Sequence, residues 1–209
     1  MKRLKHMKLN AQLVAVFFIA VLLMSLGHFI LYAHLLNTME QEETIINQER
    51  MENVQVKLDA VFNESEKAAL EILTATPFRT LTGIPVSDYG LITLQKEADE
   101  IMNDVEHISR WFIMLEGNDK LLTSNGVSSV QTYFEGMCIS EDYTAAFWND
   151  MFLNKPGKFY HTAQTFSCRS KVGRYENLTL MPMSFQSHYD RQLMVVVLLD
   201  VRKICKEDT

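Results

Sequence analysis

The chain has 209 residues, 47% of them hydrophobic and 22% charged, with a formal net charge of −6. Four basic residues (Lys2, Arg3, Lys5 and Lys8) fall in the first eight positions, and subtracting them leaves −10 for the remainder. That balance argues against a nucleic-acid surface, which needs clustered Lys and Arg, and three cysteines (Cys138, Cys168, Cys205) are too few for a scaffold built from disulfides.

The first predicted element follows the basic residues 1–8. From Leu9 to Leu36 there is no Asp, Glu, Lys or Arg, a stretch long enough to span the hydrocarbon core of a bilayer. A cleaved signal peptide has a shorter apolar region closed by a small-x-small site; here the run is longer and no such site ends it. We read residues 9–36 as an uncleaved transmembrane helix. The basic cluster before it and Glu40, Glu42 and Glu43 after it place the N-terminus in the cytoplasm and the remainder outside the cell membrane. His28 and His34 within the span read as interfacial or packed side chains.

Residues 37–76 are rich in Glu, Gln, Lys and Ala and read as one long helix ended by Pro77. Its second half carries Val54, Leu58, Val61, Phe62, Ala69, Ile72 and Leu73 at helical spacing, a face that something must cover. The first half is a more polar stalk, half covered, that calls for another partner: a sister chain, giving a homodimer through this helix, or a membrane-proximal module. After the loop "TGIPVSDYG", a second helix is predicted from the stripe Leu91, Leu94, Ala98, Ile101, Val105 and Ile108. The period then changes: "RWFIML", a turn rich in Gly, Asn and Asp, and "KLLTSNG" signal a β-hairpin. "SEDYTAAFWNDMFLN" suggests a short helix with Tyr143, Phe147 and Trp148, ended at Pro156-Gly157. Three further strands are expected in "KFYHTAQTF", "ENLTLMPMSF" and "QLMVVVLLD", with "SHYDR" turning between the last two. The run Leu193 to Leu199 is too short for a bilayer span and reads as a buried strand. Together these elements predict an α+β domain around one antiparallel sheet. A Cys138–Cys168 bridge and three free thiols both remain open.

This order resembles the extracytoplasmic Cache domain, a PAS-like sensor module of bacterial membrane-bound AraC-type regulators and sensor histidine kinases. The resemblance covers roughly residues 10–205, and rests on "FIMLEGNDKLLTSNG", "AAFWNDMF" and "VVVLLDVRKI". It implies a sensory domain over residues 77–205, a short tail at 206–209, and a small-molecule ligand held between the sheet and the segments covering it. Trp148 corresponds to the family's pocket Trp and Asp200 to the Asp that ends its last strand; Tyr143, Tyr160 and Tyr175 are further candidate walls. The amino-acid-binding subset has an Arg two residues before that Trp and a Tyr just after it. Here those positions are Ala146 and Asn149, so the bidentate carboxylate clamp has no counterpart.

Catalytic signatures are lacking: the sequence has no G-x-S-x-G elbow, H-E-x-x-H pair, phosphate-binding Gly loop or Cys cluster. His107, His161 and His188 stand apart from one another, so no metal or other cofactor is expected. The predicted function is a membrane-anchored extracytoplasmic ligand sensor, non-enzymatic, whose output module lies outside this sequence. The alternative is a free-standing anchored binding or adhesion protein.

Overall fold

The computed structural model describes residues 2–79, 87–170, 172–186 and 193–206. The predicted turn "SHYDR", His188, the last three residues and most of "TGIPVSDYG" lie outside them. Two compact units divide the chain, Met1–Val56 and Lys57–Thr209.

Helix α1 (Lys2–Thr74) supplies all of the first unit. It contains a stretch long and apolar enough to cross a membrane. Its described apolar side chains from Leu13 to Leu36 face outward, Phe17 at 69% and Leu31 at 70% exposure, and residues 39–56 are exposed throughout. An all-round apolar helix surface without protein cover is what a lipid environment stabilises.

The second unit begins with the last turns of α1, where Val61, Ala68, Ala69 and Ile72 are buried. A single turn, α2 (Thr76–Arg79), follows; Pro77 lies at its start, where a missing N–H costs nothing. Helix α3 (Asp88–Asn103) is capped by Ser87, whose Oγ accepts the Gly90 N–H at 3.2 Å. It stops earlier than its apolar stripe suggests: Ile108 is the first residue of β1 (Ile108–Leu115). The period-3/4 stripe runs on because helix and strand bury residues in the same core.

Beyond β1 come β2 (Lys120–Thr123), β3 (Gly126–Ser129), a helical turn α4 (Val130–Thr132), a π-helical turn at Tyr133–Met137, and β4 (Cys138–Ile139). Gly126 takes φ 119° at the β2–β3 turn, a conformation glycine alone adopts readily. Helix α5 (Ala145–Asn154) is capped by Thr144, whose Oγ1 accepts the Phe147 N–H. The segment "KFYHTAQTF" breaks into two strands, β5 (Lys158–Tyr160) and β6 (Gln164–Arg169); β7 (Tyr175–Gln186), β8 (Leu193–Asp200) and α6 (Val201–Lys206) complete the order.

These strands form one antiparallel sheet in the order β3-β2-β1-β8-β7-β6-β4, with β5 pairing β7, curled into a half-barrel. Strand β8 lies between β1 and β7 and every residue in it is buried. That explains an apolar run without alternation: both of its faces are covered. Leu193, Val195, Val197 and Leu199 meet α1, α3 and Phe78 on one face, while Met194, Val196 and Leu198 meet the π-helical turn and α5 on the other. The fold is therefore α+β, with two packed layers on a shared sheet.

Candidate functional site

The face covered by short segments carries an aromatic layer. Phe112 projects from β1 and packs against Tyr133, Phe134 and Trp148, with ring centroids 5.5, 5.2 and 5.3 Å away. Trp148 lies on the inner side of α5 and is fully buried, in contact with Tyr143, Phe147 and His161. Tyr143 stacks on Phe166 of β6 and its phenol donates to the Thr162 carbonyl at 2.8 Å. Edge-to-face pairs of this kind add to the area that the rings bury.

Within this layer two polar atoms are shut off from solvent with no hydrogen-bond partner: Tyr133 Oη and Trp148 Nε1. Burial raises the Tyr133 phenol far above its ordinary range, an effect the Arg110 charge partly offsets. Arg110 projects from β1 on the Phe112 side; its Nη1 donates to the Ser109 carbonyl at 2.8 Å, while its Nε has no partner. His161 Nε2 lies 3.1 Å from Ser184 Oγ, and burial chiefly, with Lys155 adding, holds its pKa below the usual histidine range. Buried polar groups are satisfied in the great majority of cases, so two orphaned donors in one aromatic layer call for an explanation.

The five residues singled out from sequence do not converge on one cavity. Tyr143 and Trp148 share the aromatic layer, where Trp148 sits in closed packing. Asp200 alternates onto the same face of β8, but its Oδ1 accepts the Arg202 N–H at 2.9 Å and caps α6. Tyr160 lies on the opposite face, its ring 5.3 Å from Phe62 and in reach of the Lys158 ammonium. Tyr175 is exposed, its phenol donating to the Gly136 carbonyl at 2.7 Å. Sequence reasoning weighed His161 only as a metal ligand and did not single out Tyr133 or Arg110; the adjacent pair Tyr133-Phe134 after a strand was the available signal for the first.

The structure also settles the cysteines. Cys138 on β4 and Cys168 on β6 are register partners with Cα atoms 4.1 Å apart and form a disulfide, leaving Cys205 free and exposed. Among the described residues no group of three or more His, Cys, Asp or Glu is placed to hold a metal ion. No protein-family model matches the chain, and no curated protein matches it.

Proposed function

We propose that this chain is a membrane-anchored sensory protein whose second unit is an extracytoplasmic Cache-like, PAS-like domain, as the order of its elements suggests. The observation that carries the reading is the pair of orphaned donors, Tyr133 Oη and Trp148 Nε1, in an aromatic layer held by short segments. A small molecule with apolar surface and one or two acceptors would satisfy both and stack on the rings. The π-helical turn and α5 cover this face, and their displacement admits the ligand. An apolar helix of membrane length in the same chain supplies the anchor, and the basic residues before it orient the domain outward. The reading assigns no catalytic chemistry.

The test uses the full chain in lipid nanodiscs against a panel of amines, carboxylic acids, nucleobases and sugars. A ligand of this site raises the melting temperature and shifts Trp148 emission, read in a Trp111→Phe background. Tyr133→Phe abolishes the rise while Tyr175→Phe keeps it. A melting temperature unmoved by the whole panel, with residues 57–209 protected from protease outside intact cells, overturns the reading.

A further inference from the structure

A second concave site lies away from the aromatic layer, where two tight turns approach each other. The β2–β3 turn contributes Ser124, Asn125 and Gly126; the β6–β7 turn contributes Arg169, Ser170 and Gly173; Gln95 and Met137 close the sides of a cleft of about 470 Å³. We propose that this cleft binds a small oxyanion group, a carboxylate or a phosphate, with Arg169 as its principal contact. This inference goes beyond the sensory reading and does not depend on it.

Charge comes first. Arg169 is the one charged side chain among the described residues lining the cleft, in a chain whose formal net charge is −6. An anion is therefore not drawn here by the field of the whole protein, and a local guanidinium must select it. Arg169 Nε makes a long bond of 3.4 Å to the Gly173 carbonyl, and no described acceptor engages its two terminal nitrogens. A planar fork anchored at Nε and free at its ends suits a bidentate oxyanion. Gly173, at φ 84°, takes a left-handed conformation that glycine adopts readily, and so lets the turn fold back beside the guanidinium.

Two hydroxyls supply the second observation. Ser124 Oγ and Ser170 Oγ are both turned away from solvent, and neither has a partner. Both residues line the cleft, and χ1 has three staggered wells, so a change of rotamer is the movement by which each hydroxyl would meet the anion. In the free chain each orphaned oxygen is a cost; an anion in the cleft removes it. The backbone N–H groups of Ser124 and Ser170 are already engaged, by the Trp111 and Arg174 carbonyls at 3.1 and 2.7 Å. Side chains, not a backbone nest, must therefore do the binding. The disulfide steadies one wall, since Met137 and Arg169 are the immediate neighbours of Cys138 and Cys168.

The experiment titrates the ¹⁵N-labelled full chain in nanodiscs with sodium phosphate or sodium acetate, chloride keeping the ionic strength constant. The amides of Ser124, Asn125, Ser170 and Gly173 are expected to shift and saturate with at least one of them. Saturation with phosphate alone identifies a phosphorylated ligand, with acetate alone a carboxylic acid, and with both a general oxyanion site. Arg169→Gln should weaken binding about tenfold or more. Ser124→Ala and Ser170→Ala should weaken binding and yet raise the melting temperature of the anion-free chain, a pair of opposite signs that a purely structural serine does not produce. Shifts that fail to saturate with either salt, or saturable binding that Arg169→Gln leaves intact, overturn the proposal.

Discussion

At the scale of single residues, the buried polar atoms of the aromatic layer are the most informative feature. Tyr133 is 1% exposed and its phenol has no partner. Removing an unsatisfied buried hydroxyl while keeping the ring should stabilise the fold by about 1 kcal/mol. Chemical denaturation of Tyr133→Phe against the parent checks this; a loss of stability would show that the hydroxyl is satisfied after all. His161 gives a pH dependence. Its folded pKa is held below the unfolded value, so as pH falls through the range near 6.5 the folded state binds fewer protons than the unfolded state does. Its contribution to stability is complete above that range and declines as pH drops toward the folded pKa. His161→Gln should therefore lose less stability than the parent between pH 7.5 and pH 5.5. Parallel slopes for the two chains would remove His161 as the cause. Trp148 was legible in the sequence as an important aromatic, because a Trp beside Tyr143 and Phe147 must bury area somewhere. Its donor's lack of a partner was not legible, since satisfaction depends on residues far along the chain.

At the scale of elements, the covering segments hold to the sheet by few strand pairings. Strand β4 has two register partners on β6, and one of those pairs is the disulfide. The bridge closes a loop of 30 residues, for which the chain-entropy relation gives about 3.6 kcal/mol. Changing both cysteines to serine should lower stability by about that amount and open the π-helical turn and β4 first. Hydrogen exchange at Tyr133–Met137 reads the second part; unchanged protection there would mean the segment is held by its aromatic packing instead. The helix α5 was readable from the run of aromatic residues around Trp148 and from the Pro156-Gly157 stop. The π-helical turn was not, because its i→i+5 bonding leaves no periodic mark in five residues. The early end of α3 was hidden for a related reason: Ile108 continues the helical spacing while already belonging to β1.

At the scale of the whole molecule, the chain joins a helix that suits lipid to a unit with its own core. Large apolar side chains such as Phe17, Phe29 and Leu31 are about 70% exposed, and each costs about 25 cal/mol for every Å² left in water. The full chain should stay with the membrane through high-salt and alkaline washes, whereas residues 57–209 alone should be soluble and unfold cooperatively. Release of the full chain by an alkaline wash would contradict a membrane-embedded helix.

The sequence by itself determined what local patterning controls: a charge-free run of membrane length, an amphipathic α3, a β-hairpin at residues 110–126, and a β8 buried on both sides because its apolar residues do not alternate. Only the tertiary structure decided which residues share a face and which meet. Tyr160 and Trp148 fall on opposite sides of the sheet through the register of β5 on β7, and Asp200 is drawn to the Arg202 N–H by the start of α6. Cys138 finds Cys168 because β4 pairs with β6 in that register, and Arg169 comes to line one cleft with Ser124 although 45 residues separate them in sequence. Periodicity reports only on neighbours within a few residues along the chain, whereas register and curvature follow from long-range pairing that buries both faces of one sheet at once.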